Sequence, residues 1–279
     1  MSAEKLTLEQ TEYLIQFIHP EKIMPWSTTI DERVLATIYG IDVTMYRAVR
    51  EKFAGRVRQA AQEFLADAAF AARVDKLPFA RNSVVVGLGN SITDDRQSWL
   101  EILGDLLRIR RPNDNIKMVN AGISGDTTSQ MITRFLAVVL EKPDWIIAMP
   151  GANEVRLHGE RPSKTLLSIE ETEKNLAMLR NFAATQTKAR WVWMTPAAVI
   201  EEKIPQHWLL GAGQMFWRNN DFAAVAEVVR RQPGVALVDL QKVFGRPANP
   251  KLLMDDGLHP NIEGQKAIVR ALVEKLVSS

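Results

Sequence analysis

The stretch VVVGLGNSIT, residues 84–93, is the part of the sequence that indicates the fold most clearly, and it raises the question of function. It begins with three valines, which favour a strand, and no polar residue interrupts the run before Asn90. A strand that is apolar on both faces is typical of a parallel sheet covered by helices on both sides. Ser91 follows where such a strand would end, and three roles are open to it: a helix cap, part of a phosphate-binding loop, or a nucleophile.

The same sequence pattern recurs along the chain from residue 83 onward. Short apolar runs alternate with segments of helical periodicity, and NIEGQKAIVRALVEKL closes the chain as a predicted helix. The predicted strands lie in SVVVGLG, IKMVNAG, DWIIAMPG, RWVWMTPAA and VALVDL. Because strands that alternate with long helices form parallel sheets, we predict an α/β protein, a three-layer α/β/α sandwich with a five-stranded parallel sheet.

The first part of the chain carries no convincing strand pattern. We predict a helical N-terminal extension over residues 1–80 and the α/β domain over residues 81–279. Apolar residues recur at three- and four-residue steps from Val43, which predicts a long helix with one buried face, and shorter helices are predicted near residues 8–18 and 31–39. The apolar face of the long helix consists of Tyr46, Val49, Phe53, Val57, Ala61, Phe64 and Ala68.

Charge and cysteine content exclude several classes of protein. The 279 residues carry 35 basic and 33 acidic side chains, a formal net charge of +2, so the composition gives no electrostatic footprint for nucleic acid or an anionic membrane. The chain has no cysteine, which excludes disulfides, thiol nucleophiles and thiolate metal sites.

The amino terminus, MSAEKLTLEQ, is polar and charged and lacks the basic-then-apolar run of a secretory signal. The sequence also contains no stretch of about 20 apolar residues that would span a bilayer. We therefore expect a cytoplasmic protein, although a chain from which a signal had been removed would share this pattern.

Four loops contain residue types suited to catalysis. Ligands bind at the carboxyl ends of strands in an open α/β sheet, so GLGNSIT, NAGISGDTT, PGANE and DDGLHPN are expected to meet at one edge. A serine nucleophile needs a base, and the base needs a third group that holds its tautomer. Asp256 and His259 fit this need, because Asp256 can accept from Nδ1 of His259 and leave Nε2 free to face Ser91.

Acyl transfer also needs hydrogen-bond donors for the developing oxyanion. We expect them from the backbone N–H groups of Ser91 and Gly125 and from the side-chain amide of Asn153. Gly125 has no Cβ, which would allow a close backbone approach to the substrate.

GNSIT, GISGDT, GANE and DGLH resemble, in this order, the four sequence blocks of the SGNH hydrolases, also called the GDSL lipase/esterase family. The resemblance extends over about residues 83–277 and implies a flavodoxin-like fold and hydrolysis of ester bonds without a cofactor or a metal. The residues that it assigns to catalysis are Ser91, Asp256 and His259 as the triad and Ser91, Gly125 and Asn153 as the oxyanion hole.

Two positions depart from the family pattern. Asn90 stands where the first block usually has aspartate, and Glu154 stands where the third block usually has a second aspartate. Neither position has a catalytic role in the family, so we expect these changes to tune the site and not to abolish its function.

We therefore predict a serine hydrolase that cleaves carboxylic esters of small molecules through an acyl-enzyme. The alternatives are a thioesterase or lysophospholipase, or a carbohydrate acetylesterase, each using the same site, and a non-catalytic binding protein on the hydrolase scaffold. The four blocks do not specify a substrate. If the protein forms a homo-oligomer, we expect the N-terminal helices to form the interface.

The segment VIEEKIPQHWLLGAGQMFWRNN, residues 199–220, interrupts the alternation of strands and helices. It either packs its aromatic side chains into the core or forms a wall or lid over a pocket, as long loops in α/β folds often do. As candidate pocket residues we name Trp208, Phe216 and Trp217.

Other kinds of site fit the sequence less well. A dinucleotide site needs a third glycine where Ile92 stands, and a GxSxG nucleophile elbow needs a glycine where Thr93 stands. No cluster of histidines and carboxylates has the spacing of a metal site. The three remaining histidines are expected to be solvated or structural, and lining a pocket is the less favoured alternative for the last two: His19, His158 and His207.

Overall fold

The computed structural model describes residues 6–24, 30–160 and 163–278. Its strands are β1 (Val84–Gly89), β2 (Lys117–Gly122), β3 (Trp145–Met149), β4 (Leu157–His158), β5 (Arg190–Met194), β6 (Met215–Phe216) and β7 (Ala236–Val238). Five of them form one parallel sheet in the order β2-β1-β3-β5-β7, and β4 and β6 form a separate antiparallel pair. The predicted five-stranded parallel sheet is confirmed, and its order is that of a flavodoxin-like fold.

Helices precede and separate these strands. They are α1 (Leu8–Phe17), α2 (Pro20–Ile23), α3 (Glu32–Ile38), α4 (Val43–Ala66), α5 (Ala68–Asp75), α6 (Ser91–Asp94), α7 (Trp99–Arg110), α8 (Thr128–Thr133), α9 (Phe135–Leu140), α10 (Ile169–Gln186), α11 (Trp208–Ala212), α12 (Asn219–Arg230), α13 (Leu240–Phe244) and α14 (Ile262–Val277). Short 3-10 helices lie at Pro112–Asp114, Ile204–Gln206 and Pro250–Leu252. Within the described ranges, no helix is both long and apolar enough to cross a membrane.

Successive side chains of a strand point to opposite faces of the sheet, and both faces of this sheet are buried. In β3, Ile147 packs into a core that includes Leu103 of α7 and Ile268 of α14. Its neighbour Ile146 packs into a second core that includes Leu176 of α10 and other residues of α8, α9 and α12. This arrangement is the predicted three-layer sandwich, and it explains why the strands read as continuous apolar runs.

Polar side chains set where the main helices begin. The Oγ of Ser168 accepts from Glu171 N at 3.1 Å at the start of α10, and Oδ1 of Asn261 accepts from Gly264 N at 3.0 Å at the start of α14. Each bond satisfies a backbone N–H that has no partner within the helix. The start of α14 matters for the site described below, because it fixes the loop that precedes it.

The predicted helices of the N-terminal section are present as α1, α3 and α4. The predicted long face was wrong at its last member, because α4 ends at Ala66 and Ala68 is exposed. Asp67 causes this break, since its Oδ1 accepts from Ala69 N at 2.9 Å and caps α5.

The N-terminal helices share a core with the sheet. Phe64 of α4 and Phe70 of α5 belong to the same buried cluster as Val85 of β1 and Leu103 of α7. A smaller cluster joins α1, α3 and α4 through Ile15, Leu35 and Phe53 among others. The boundary at residue 80 stays a prediction, but α4 and α5 are packed as layers of the α/β fold.

We expect Phe64→Ala to destabilise the whole fold by about 3–5 kcal/mol, because it opens a cavity in the shared core. Phe64 is 3% exposed, and its ring stacks on Phe70 with centroids 4.5 Å apart. Urea unfolding followed by tryptophan fluorescence, to which the strand residues Trp145, Trp191 and Trp193 contribute, measures the change. Leu136→Ala serves as the control, since Leu136 is 64% exposed. Equal midpoints for the two variants would contradict the shared core.

Candidate active site

Ser91 is presented at the end of β1 as the first residue of α6. Two glycines make this possible by removing side chains from the contact. A Cβ at Gly89 would lie 2.3 Å from Oγ1 of Thr93, and a Cβ at Gly122 would lie 2.4 Å from the backbone nitrogen of Asp94. Short helix α6 therefore packs directly against the carboxyl end of β2, with Ser91 at the edge of the sheet.

The structure brings Ser91, His259 and Asp256 together. Nε2 of His259 lies 2.9 Å from Oγ of Ser91, and Nδ1 of His259 lies 2.6 Å from Oδ2 of Asp256. Ser91 is half-buried, while His259 and Asp256 are buried. The imidazole thus joins a hydroxyl that faces the site to a carboxylate in the interior.

Asp256 is held as a carboxylate by the turn that contains it. Its Oδ1 accepts from the backbone N–H groups of Leu258 and His259, at 2.8 and 2.9 Å. Burial acts to raise the pKa of Asp256, but His259 and these hydrogen bonds outweigh it and hold the pKa at about 2. Gly257 adopts φ +72° within this turn, a conformation that L side chains rarely adopt.

Three hydrogen-bond donors predicted for an oxyanion lie in the loops at the same edge. Among the described residues, the backbone N–H groups of Ser91 and Gly125 have no acceptor. Nδ2 of Asn153 donates one hydrogen to the carbonyl oxygen of Asp126 at 3.0 Å. That bond orients the amide and leaves its second hydrogen for another acceptor.

The backbone conformation of Gly125 favours glycine, in addition to the predicted close approach to the substrate. A Cβ at this position would meet no atom within 4 Å, so a close approach within the protein does not demand glycine. The backbone of Gly125 instead has φ +89°, in the left-handed region that favours glycine.

Asp94 connects the loop that carries Gly125 to the N-terminal helices, a role that the sequence did not reveal. Its Oδ2 accepts from N and Oγ of Ser124, at 2.8 and 3.0 Å, directly before Gly125. Its Oδ1 lies 2.6 Å from Nδ1 of His19 and accepts from Nζ of Lys22, also at 2.6 Å. Burial acts to raise the pKa of Asp94, but the two basic side chains outweigh it and hold the pKa below its ordinary value.

Glu154, which departs from the family pattern, connects two of the loops. It is fully buried, and its Oε1 accepts from Thr128 N at 2.6 Å at the start of α8. Burial raises the pKa of the Glu154 carboxyl. The longer side chain thus supports the segment beside Asn153 from within the protein. At the other departure, Oδ1 of Asn90 accepts from Ile92 N at 3.3 Å and caps α6.

Helix α1 also reaches the site, which sequence reasoning missed. The hydroxyl of Tyr13 donates to Oδ2 of Asp256 at 3.0 Å, and the ring of Phe17 lies against His259 with centroids 4.3 Å apart. The four-residue spacing of Tyr13 and Phe17 marks one helix face, but nothing in the sequence indicates a contact with residues more than 240 positions away.

The candidate pocket residues fall in two different environments. Trp217 is buried, and its Nε1 donates to the carbonyl oxygen of Ala152 at 2.8 Å, so it fits the packing alternative better than a pocket wall. Phe216 is half-buried and pairs with Leu157 between β4 and β6. Trp208 is also half-buried and lines a cavity of about 520 Å³.

Asp256, Tyr13 and His207 also line that cavity. The ring of His207 is 4.8 Å from that of Tyr13, and burial lowers the pKa of His207. His158 is exposed, whereas His19 is buried in the bond to Asp94. In the described part of the chain, no group of three or more His, Asp or Glu side chains is placed to hold a metal ion.

Known proteins with similar sequences are hydrolases. The chain is 24% identical over 209 residues to thioesterase 1/protease 1/lysophospholipase L1 of Escherichia coli K12, covering 74% of this chain and 85% of that protein. It is 25% identical over 179 residues to an acetylxylan esterase of Geobacillus stearothermophilus, covering 61% of this chain and 77% of that protein.

The fold is also similar to a solved structure. A catalytic mutant of an acetylxylan esterase from Geobacillus stearothermophilus superposes with a TM-score of 0.56 at 21% identity, over 72% of this chain and 96% of that chain. This likeness confirms the fold that the sequence resemblance implied.

Residues 82–267, well over half of the chain, match the family described as GDSL-like lipase/acylhydrolase. The matched range contains Ser91, Gly125, Asn153, Asp256 and His259, but it begins after helices α1–α5. The chain therefore belongs to the GDSL-like lipase/acylhydrolase family and is an ester hydrolase.

Proposed function

We propose that the protein hydrolyses carboxylic esters of small molecules through an acyl-enzyme on Ser91, with His259 as general base and Asp256 as its partner. The observation that carries the proposal is the continuous pair of hydrogen bonds from Ser91 through His259 to Asp256, at 2.9 and 2.6 Å. A serine hydroxyl is a weak nucleophile without such a base, and the base is held in one tautomer by the carboxylate.

Acylation begins when Oγ of Ser91 attacks the ester carbonyl carbon and its proton passes to Nε2 of His259. The imidazolium that forms is stabilised by Asp256, which stays ionised because its pKa is about 2. His259 then gives the proton to the leaving alcohol oxygen as the carbon–oxygen bond breaks. The acyl group remains on Ser91.

Deacylation uses the same groups in reverse. Water loses a proton to His259 and attacks the acyl carbon, and Ser91 leaves with that proton as the acid is released. In both steps the negative oxygen would accept from Ser91 N–H, Gly125 N–H and the Asn153 amide. These donors are already oriented, so little reorganisation is needed as charge develops.

The four sequence blocks indicate the reaction type but do not specify which acyl group or alcohol the enzyme prefers. The relatives include a thioesterase/lysophospholipase and an acetylxylan esterase, so thioesters, lysophospholipids and acetylated sugars are the alternatives to simple esters. Self-association through the N-terminal helices and a cytoplasmic location also stay predictions.

We expect Ser91→Ala to abolish release of p-nitrophenol from p-nitrophenyl acetate, butyrate and octanoate, while wild type turns over at least one of them. The reason is that no other group in the proposed mechanism can accept the acyl chain. Thermal unfolding checks that the variant is folded, and Ser129→Ala is the control serine. Equal rates for wild type and Ser91→Ala on all three esters would contradict the proposal.

We expect Asn153→Ala to lower kcat by about 10²–10³ with little change in KM, because the amide stabilises charge that exists only in the transition state. Asn175→Ala is the matched control: Asn175 is similarly buried, at 7% against 5% exposed, but it donates to Thr128 and Ser129. Steady-state kinetics on the best of the three esters measures both. An equal loss in the two variants would show that Asn153 acts only through packing.

A further inference from the structure

We propose that helix α1 is a working part of the active site, in which Tyr13 is a positioning residue that holds Asp256 and moderates the basicity of His259. The proposal rests on the catalytic roles given above to Asp256 and His259. It concerns a part of the chain that precedes the family match, which begins at residue 82.

The contact is made to the functional oxygen of Asp256. The Tyr13 hydroxyl donates to Oδ2 of Asp256 at 3.0 Å, and the same Oδ2 lies 2.6 Å from Nδ1 of His259. The Tyr13 oxygen is also 3.3 Å from Nδ1 itself. Tyr13 is 8% exposed, so water does not compete freely for this bond. Burial, with Asp256 beside it, raises the pKa of Tyr13, so the phenol keeps its proton and donates.

This contact has two physical consequences. The phenol draws negative charge from the oxygen that pairs with the imidazolium, so it weakens the stabilisation of protonated His259 and keeps that histidine less basic. The hydrogen bond from the phenol also restrains the side chain of Asp256, while Phe17 restrains the imidazole of His259 by packing on its ring. Proton transfer from Ser91 requires an unprotonated base that is held in one orientation.

Helix α1 is itself anchored beside the site, so the hydroxyl has a fixed position. Nε2 of Gln16 donates to Oδ1 of Asp95 at 3.0 Å. Just beyond the helix, His19 and Lys22 both bind Asp94, as described above. The backbone of Arg96 adds a bond to the carbonyl oxygen of Gln16 at 3.1 Å.

Other titratable groups face this site and bear on its pH dependence. Asp95 is buried, and burial raises the pKa of Asp95 to about 7, although hydrogen bonds from Gln16, Gln97 and Gln265 and the charge interaction with His259 act against this. His207 faces Tyr13 from the inserted segment and acts on both Asp256 and His259. Because these groups are the same in wild type and a Tyr13 variant, the difference between the two profiles isolates the phenol.

Tyr13→Phe removes the hydroxyl and keeps the ring, and Tyr39→Phe is the matched control. Tyr39 is also in the N-terminal section and is buried, but its hydroxyl donates to the carbonyl oxygen of Ile18. With p-nitrophenyl acetate, we expect Tyr13→Phe to lower kcat on the order of tenfold with KM nearly unchanged, since a hydrogen bond to a charged group is lost. Tyr39→Phe should keep the kinetics of wild type.

The pH profile gives a readout that a packing defect would not move. His259 must be neutral to accept the proton, and loss of the phenol leaves more negative charge on Oδ2 of Asp256 to stabilise the protonated imidazole. Activity is therefore expected to be lost at a higher pH on acidification. We expect the acidic limb of kcat/KM to move up by about half a pH unit in Tyr13→Phe and not in Tyr39→Phe. NMR titration of the His259 imidazole, assigned by its absence in His259→Gln, measures the same shift without any substrate.

The outcomes separate this proposal from the proposed function. If the imidazole titration of His259 shifts in Tyr13→Phe but no ester is cleaved, the positioning role stands and the substrate assignment fails. If neither the titration nor kcat differs from wild type, the role of Tyr13 is overturned. Equal loss of kcat in Tyr13→Phe and Tyr39→Phe, with no shift of the acidic limb, also overturns it.

Discussion

The buried carboxylate of Asp256 is the charge on which the rest of the site depends. A carboxylate at 2% exposure is costly unless donors replace the lost water. Two backbone N–H groups supply Oδ1, and the imidazole of His259 and the phenol of Tyr13 supply Oδ2. Because these donors come from both ends of the chain, the charge is fully compensated only when α1 is docked against the loop before α14.

The second constraint is the crowding of loops at the carboxyl edge of the sheet. Gly89 and Gly122 allow α6 to lie against β2, which places Asp94 within reach of Ser124. Asp94 also binds His19 and Lys22, so the N-terminal section contacts the candidate site at two points, one at Asp256 and His259 and one at the loop before Gly125. The structural and functional roles of helices α1–α5 are therefore linked.

Much of this architecture could be predicted from the sequence. The alternation of apolar strands with helices predicted the parallel sheet. The rule that ligands bind at the carboxyl ends of strands predicted that Ser91, Asp256 and His259 lie close together. The reason is that each of these residues lies within a few positions of a recognisable strand or helix end. Their local geometry is set by short-range features, such as the three-residue spacing of Asp256 and His259.

What could not be predicted involves contacts distant in sequence. Helical periodicity identifies the buried face that contains Tyr13 and Phe17, but it does not identify what covers that face. Asp94 was overlooked for the same reason, because its partners come from α2 and from the loop after β2. The positive φ of Gly125, which favours glycine, could not be predicted either, because the sequence does not display backbone angles.

Labelling with a fluorophosphonate, followed by mass spectrometry of the peptides, would show directly whether Ser91 is an activated nucleophile. We expect one phosphonyl group per chain, on Ser91, with labelling lost in Ser91→Ala and slowed strongly in His259→Ala. This result needs no knowledge of the natural substrate, because the reagent reads only the activated serine. Absence of labelling in folded wild-type protein, or labelling at another residue, would contradict a catalytic triad built on Ser91.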